Sequence, residues 1–259
     1  MSMTGTRLAG RTAIVTGAGQ GVGEGIARRL AAEGANVVIA ARRAGTGEPV
    51  AEAIRATGGS AICIETDVSS RASVQACVDQ TVDHFGGLQI MVHNAFRGGI
   101  PHRLETADLD RHWKHMSRTG VWAVLFCGQA AWPHLRAAGA QGRFIILTSP
   151  SGVEGSANIP LYSPVKAAER AMAKSLAREW GSSGVTVNCI GPVAASPALV
   201  NAFDVNPALK DAIEARTPLG RVGDPEADIG SVALFLASDD AAFVTGQTVI
   251  CDGGSFLGL

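Results

Sequence analysis

The sequence predicts an α/β fold in which a parallel sheet is doubly wound, with helices on both of its faces. Short apolar runs rich in β-branched residues alternate with helical patterns from one end of the 259-residue chain to the other. These runs are continuous rather than alternating between polar and apolar residues, which is typical of parallel strands buried on both faces. No repeat or low-complexity linker divides the chain, so we predict a single domain over residues 1–259.

Seven strands and seven helices follow one another along the chain. The predicted strands are Arg11–Thr16, Asn36–Ala41, Ser60–Ile64, Gln89–His93, Arg143–Leu147, Val185–Ile190 and Thr248–Cys251. The predicted helices are Gly21–Glu33, Glu48–Thr57, Ser70–Phe85, about His112–Ala138, Leu161–Trp180, Pro207–Arg216 and Glu226–Ala237. Repeating β-α units predict right-handed crossovers. We predict one long irregular stretch, from Pro192 to about Val205.

Composition excludes several classes of function. Lys and Arg total 22 and Asp and Glu total 23, so the net charge of −1 argues against nucleic acid as a partner. Five widely spaced cysteines without a Cys-x-x-Cys pair do not indicate a disulfide framework or a zinc site. His112 and His115 lack a third convergent ligand, so we predict no metal site. No signal peptide or membrane span is evident, and we expect a cytoplasmic protein that does not bind membranes.

A glycine-rich turn joins the first strand to the first helix. It reads Thr16-Gly17-Ala18-Gly19-Gln20-Gly21-Val22-Gly23. Glycine permits positive φ and lets a pyrophosphate approach the backbone, while the helix that follows offers free N–H groups and the positive end of its dipole. A glycine cluster alone also suits an ordinary strand-to-helix turn. Its place after the first strand favours dinucleotide binding.

The second strand ends in two arginines rather than in an acid. A carboxylate at this point usually holds the ribose 2′-hydroxyl of NAD, whereas Arg42 and Arg43 suit a 2′-phosphate. We therefore predict NADP(H), with NAD(H) also open. The alternative is that both arginines merely solvate a loop. Asp67 and Val68, after the third strand, are candidates for contact with the adenine.

The sequence contains a single tyrosine, and it lies four residues before a lysine. Tyr162 and Lys166 therefore share one face of a predicted helix, and Ser149 ends the fifth strand. A neighbouring ammonium lowers the pKa of a phenol, so a tyrosine can exchange a proton with a carbonyl or alcohol oxygen. A serine hydroxyl can hold the same oxygen in place. The spacing predicts an acid–base site.

These motifs resemble those of the short-chain dehydrogenase/reductase family over about Leu8–Gly254. The resemblance implies a Rossmann-type fold, hydride transfer at a carbonyl or alcohol, and a homotetramer or homodimer. It implies that Ser149, Tyr162 and Lys166 are catalytic and that Lys166 also binds the cofactor. The remaining residues that it assigns to the cofactor are Asn94, Ala95, Pro192, Val193 and Ser196.

Three departures from the family pattern concern the site. Ser117 stands where the family has a catalytic Asn that holds a relay water, and we predict that its hydroxyl takes over this role. Phe96 and Val193 each replace a Gly. We expect both side chains to narrow the nicotinamide end of the cleft and to restrict the shape of the substrate.

The sequence therefore predicts an NADP(H)-dependent oxidoreductase that interconverts a carbonyl and an alcohol on a small apolar molecule. The enzyme would be similar to a 3-oxoacyl-thioester reductase or to a ketone reductase. The alternative is a regulatory or scaffold protein that binds the cofactor with little turnover. Reduction of a C=C bond is a further alternative, but enoyl reductases of this superfamily space the Tyr and Lys more widely. A segment over about 193–218 is either a substrate lid or an ordinary helical cover.

Overall fold

The sheet has seven strands, all parallel, and lies between two layers of helices. The structure, a computed structural model, describes residues 6–98, 101–157 and 159–257. The strands are β1 Thr12–Thr16, β2 Asn36–Ala41, β3 Ser60–Glu65, β4 Ile90–His93, β5 Arg143–Leu147, β6 Thr186–Pro192 and β7 Thr248–Cys251. Their order across the sheet is β3-β2-β1-β4-β5-β6-β7. The predicted fold class is confirmed.

Ten α-helices occur in the part of the chain that the structure describes. They are α1 Gly21–Ala32, α2 Ala44–Ala56, α3 Arg71–Phe85, α4 Leu109–Ser117, α5 Ala123–Ala138, α6 Ser151–Glu154, α7 Tyr162–Trp180, α8 Pro197–Val205, α9 Pro207–Arg216 and α10 Ser231–Ala237. Among these described residues, none of the helices combines the length and the apolar character that a membrane crossing requires.

Alternate side chains of each central strand enter two separate cores. In β1, Ala13 and Val15 pack with α1 and α10, while Ile14 packs on the opposite face with residues of α3, α5 and α7. All three side chains are essentially inaccessible to solvent. Burial on both faces explains why the strands read as unbroken apolar runs, because neither face requires polar residues.

Four predicted elements differ from the structure. Helix α2 begins at Ala44 rather than at Glu48, and α10 begins at Ser231 rather than at Glu226 because a π-helical turn at Pro225–Gly230 precedes it. The stretch from Pro192 to Val205 is not irregular throughout, because α8 begins at Pro197. The Ser196 hydroxyl caps this helix by accepting from the Leu199 N–H at 3.2 Å, and proline suits a first helical position. The long helix predicted over about His112–Ala138 is divided into α4 and α5 by a π-helical turn at Arg118–Trp122.

The order of the strands positions the site. The chain leaves β1 for β2 on one side and later returns to place β4 on the other side of β1. The loops after β1 and β4 therefore diverge at the carboxyl edge of the sheet and leave a crevice between them. Ligands of open α/β sheets bind at such a crevice.

Close packing of α1 against the segment before α10 gives a test of the fold. An added Cβ at Gly25 would lie 2.3 Å from the carbonyl carbon of Pro225, whereas one at Gly45 would meet nothing within 4 Å. We expect Gly25→Ala to lower the free energy of unfolding by about 2 kcal/mol, because rigid backbone must move. Gly45→Ala should leave it unchanged or raise it by less than about 1 kcal/mol. Urea denaturation checks both variants, and equal effects would contradict the packing.

Candidate active site

A cavity of about 600 Å³ opens at the carboxyl ends of the first four strands. Most of the residues predicted to bind a cofactor line it. They are Gly17, Gly19, Gln20, Gly21, Val22, Gly23, Arg42, Arg43, Asp67, Val68, Asn94, Ala95 and Ser196. Seven further residues, which no sequence motif assigns to a cofactor, also line the cavity: Thr46, Thr66, Ser69, Arg97, His115, Thr119 and Pro197.

The glycine turn leaves room for a phosphate group at the start of α1. Gly17 and Gly21 have φ values of 68° and 59°, which disfavour any side chain. At Gly23 a Cβ would lie 2.5 Å from the carbonyl oxygen of Gly17, so the turn and the helix pack backbone to backbone. The side chain of Gln20, the N-cap residue, makes no hydrogen bond to the first turn of α1. Its N–H groups are therefore available to an anion, and the cavity fits a dinucleotide.

Asn94 fastens this turn to β4. Its side-chain amide donates to the carbonyl oxygens of Thr16 and Gly17 at 2.9 and 3.3 Å. The Thr16 hydroxyl in turn accepts from the backbone N–H groups of Asn94 and Ala95 at 3.0 and 3.1 Å. The two loops that bound the crevice are thus held together by four hydrogen bonds. The sequence motif alone does not predict this role of the Thr16 hydroxyl.

The β2 end of the cavity is basic. Arg42 and Arg43 are exposed there, and Arg97 approaches from the loop after β4. Burial and the positive charges of Arg97 and Arg42 lower the pKa of His115. Asp67 accepts a hydrogen bond from the Ser69 hydroxyl at 2.7 Å, which lowers the pKa of its carboxyl, and Arg42 lowers it further. A sequence motif could not select Arg97, because its proximity to Arg42 depends on the pairing of β1 with β4.

Tyr162 and Lys166 lie in the first turns of α7 on one face. Lys166 is buried, and its ammonium donates to the Leu147 carbonyl at 2.9 Å and to the Glu169 carboxylate at 2.9 and 3.2 Å. The Phe96 ring covers the ammonium, with 4.2 Å between Nζ and the ring centroid. Phe96 also packs edge-on against Tyr162, with 5.4 Å between ring centroids. Phe96 lines the cavity and Lys166 does not, so the ring separates the lysine from the cavity.

Ser149 follows β5 and lies before α6. Its hydroxyl oxygen is 2.8 Å from that of Ser151 and accepts from the Ser151 N–H at 3.3 Å.

Burial, and then the charge of Lys166, lower the pKa of His93 at the end of β4 to about 3. The imidazole is therefore neutral, and its Nδ1 lies 3.8 Å from Sγ of Cys127.

Six of the predicted site residues are not part of the cavity wall. Three of them are Ser149, Tyr162 and Lys166, and the others are Ser117, Pro192 and Val193. Ser117 lines a separate outer cavity of about 390 Å³ with Trp122 and Phe126, and its hydroxyl donates to the Lys114 carbonyl at 3.2 Å. The π-helical turn that starts one residue later changes which side chains of this helix face inward. Pro192 ends β6, and Val193 lines a small cavity of about 90 Å³ beside Cys251.

Comparison with known proteins decides the family. The family model described as "Enoyl-(Acyl carrier protein) reductase" matches residues 17–255. The chain belongs to the short-chain dehydrogenase/reductase (SDR) family. Membership makes it an oxidoreductase of CH–OH and C=O groups on small molecules, and SDR enzymes use NAD or NADP. In the described residues, no group of three or more His, Cys, Asp or Glu side chains is arranged to hold a metal ion.

Several SDR relatives match almost end to end. The chain is 36% identical to cis-4-hydroxycyclohexanecarboxylate dehydrogenase of Sinomonas cyclohexanicum, over 96% of this chain and 98% of that protein. It is 37% identical to 4-formylbenzenesulfonate dehydrogenase of Comamonas testosteroni, over 94% and 97% of the two chains. A crystal structure described as a short-chain alcohol dehydrogenase of Sinorhizobium meliloti 1021 superposes with a TM-score of 0.90 at 31% identity, over 96% and 98%.

The amide bridge of Asn94 gives a test of the cavity. Asn94→Ala leaves two carbonyl oxygens without a donor and frees the turn from β4, so we expect dinucleotide binding to weaken about tenfold. Gln141→Ala is the control, because Gln141 is exposed and lies outside the cavity. Titration calorimetry with NADPH and NADH measures both variants. Unchanged affinity in Asn94→Ala would contradict the role assigned to the bridge.

Proposed function

We propose that this SDR enzyme is an NADP(H)-dependent carbonyl reductase or alcohol dehydrogenase for a small apolar substrate. The observation that carries the proposal is the buried ammonium of Lys166 beside the ring of Tyr162, with Phe96 between this pair and a cavity that fits a dinucleotide. Burial of a lysine is costly unless its charge is used or paired. Glu169 pairs the charge here, and an acid–base role for the adjacent tyrosine would use it.

Each group of the site has a defined task in the proposed reaction. A bound nicotinamide supplies the hydride or accepts it. Tyr162 gives its proton to the carbonyl oxygen during reduction, or takes the proton of the alcohol during oxidation. Lys166 stabilises the phenolate and binds the nicotinamide ribose, and the Ser149 hydroxyl holds the reacting oxygen. The pocket is narrowed on one side by the Phe96 ring.

The basic end of the cavity supports NADP(H) over NAD(H). Arg42 and Arg43 are exposed at the end of β2, where the ribose 2′-position of the dinucleotide falls in this fold. Arg97 adds a third guanidinium to the same end. A 2′-phosphate gains charge-assisted hydrogen bonds from these groups, whereas a 2′-hydroxyl does not.

The relatives guide the choice of substrates to test. Two of them are named for a cyclic hydroxycarboxylate and an aromatic aldehyde, so cyclic alcohols, cyclic ketones and aromatic aldehydes come first. The panel also contains diketones, quinones, 3-oxoacyl thioesters and an enoyl thioester. We propose that the segment over about 193–218, which contains α8 and α9, acts as a lid over the substrate.

The same panel separates the alternatives. Oxidation of NADPH by a carbonyl compound supports the proposal, whereas oxidation by the enoyl thioester alone would indicate C=C reduction. The spacing of four between Tyr162 and Lys166 supports carbonyl reduction. Tight binding of NADPH without turnover of any compound would favour the regulatory protein.

We further propose a cytoplasmic homotetramer or homodimer. Trp122 and Leu125 near the start of α5 are 52% and 39% exposed, which is high for large apolar side chains on adjacent turns. Burial of such a surface against a second copy removes apolar area from water.

Replacement of the phenol tests the chemistry directly. Tyr162→Phe removes one hydroxyl and retains the ring that packs against Phe96. We expect turnover to fall by at least about a hundredfold, because proton transfer is lost. Calorimetry should show nearly unchanged NADPH affinity. Retention of turnover in this variant would overturn the assignment of Tyr162.

Removal of the two arginines tests the choice of cofactor. In the double variant Arg42→Ala/Arg43→Ala, we expect NADPH to bind about tenfold more weakly or worse, because charge-assisted bonds are lost. NADH binding should change by less than about twofold, since no 2′-phosphate is present. Arg178→Ala, on the exposed face of α7, is the control. Equal losses for both dinucleotides would contradict the NADP(H) preference.

A further inference from the structure

Glu169 is a buried carboxylate that no sequence motif selects. It lies one helical turn after Lys166 in α7, and its side chain is 0% exposed. An added Cβ at Gly120 would lie 2.9 Å from one of its oxygens, so the turn between α4 and α5 closes over the carboxylate. A carboxylate in such a place requires a compensating charge.

Lys166 supplies that charge. Its ammonium donates to both carboxylate oxygens and to the Leu147 carbonyl, and the Phe96 ring covers its remaining side. Ser117, the residue predicted to connect the lysine to a relay water, lies in the outer cavity instead. The polar side chain that contacts the Lys166 ammonium is that of Glu169.

We propose that Glu169 is a positioning residue that holds the Lys166 ammonium beside Tyr162 and sets the pH at which the Tyr162–Lys166 pair loses its first proton. The proposal rests on the acid–base role of this pair in the proposed function. It adds a residue to the site and assigns it a measurable effect.

The sign of the effect follows from charge. A buried ammonium alone would have a lowered pKa, but the carboxylate of Glu169 and the phenol of Tyr162 outweigh burial and raise the pKa of Lys166. Burial raises the pKa of Glu169, which the Lys166 charge opposes. Removal of the negative charge makes either proton of the pair easier to lose. The first midpoint, the pH at which half of the Tyr162–Lys166 pairs have lost one proton, therefore falls. This holds whichever of the two groups gives up that proton.

The other titratable groups around the pair do not interfere. His93 on β4 has its pKa lowered to about 3 and is neutral at the relevant pH. Cys189 on β6 has its pKa raised to about 12, mainly by burial, and stays protonated. Arg170, which follows Glu169 in α7, donates to the Gly152 carbonyl at 3.0 Å. Changes of protonation in this cluster between the pKa values of His93 and Cys189 therefore report Tyr162, Lys166 and Glu169.

The composition of the chain allows the titration of Tyr162 and Lys166 to be measured without a substrate. Tyr162 is the only tyrosine, so the ultraviolet absorbance of tyrosinate reports that residue alone. The four lysines are Lys114, Lys166, Lys174 and Lys210. NMR of the intact protein labelled with ¹³C at the lysine Cε follows each of them separately.

The test compares Glu169→Gln with the wild type and with Glu179→Gln, which makes the same charge change on the exposed face of α7. We expect the first midpoint of the pair to fall by roughly one pH unit or more in Glu169→Gln. It should not change in Glu179→Gln. Unchanged midpoints for both Tyr162 and Lys166 in a folded Glu169→Gln protein would overturn the proposal.

A measurement on the wild type covers the case in which Glu169→Gln does not fold. Lys166 should titrate at higher pH than the three other lysines, because Glu169 stabilises its charged form. A Lys166 that titrates below them would overturn the proposal. The alkaline limb of carbonyl reduction should also move to lower pH in a folded Glu169→Gln enzyme, since reduction requires the protonated phenol and the ammonium.

The outcomes separate this proposal from the proposed function. A lowered midpoint in a protein that turns over no carbonyl compound supports the role of Glu169 and contradicts the reductase. Turnover that depends on Tyr162, with midpoints that do not respond to Glu169→Gln, supports the reductase and contradicts the role of Glu169.

Discussion

The arrangement of the site depends on the contacts that surround the buried ammonium of Lys166. A charge in this position is stable only because a carboxylate, a backbone carbonyl and an aromatic ring surround it. These three partners come from α7, from β5 and from the loop after β4. The single side chain therefore fixes the helix that carries Tyr162 against the sheet and against the residue that narrows the cavity.

The cavity itself depends on the divergence of the chain at β1 and β4. Parallel strands bring their carboxyl ends to one edge, and the change of direction leaves a crevice there. Asn94 then bridges the two loops through backbone carbonyls, so the glycine turn is held open by hydrogen bonds rather than by side-chain bulk. Tyr162, Lys166 and the glycine turn consequently lie near one edge of the sheet.

The sequence predicted what depends on local pattern and missed what depends on packing. Unbroken apolar runs predicted all seven strands, and the glycine cluster predicted the turn between β1 and α1. The sequence does not predict that Ser117 lies in the outer cavity. The π-helical turn after it has no signature in residue types, and it changes which side chains of the helix face the interior. Glu169 was overlooked because a charged residue in a helix normally faces solvent. Its burial becomes evident only when Gly120 is seen to lie against it.

A crystal structure of the complex with NADP⁺ would test the central claim most directly. The account predicts that Nζ of Lys166 keeps its contact with Glu169 while it donates to a hydroxyl of the nicotinamide ribose, and that the 2′-phosphate contacts Arg42 and Arg43. A complex in which the lysine has left Glu169 for another partner, or in which the Phe96 ring still separates it from the ribose, would contradict this account of the site.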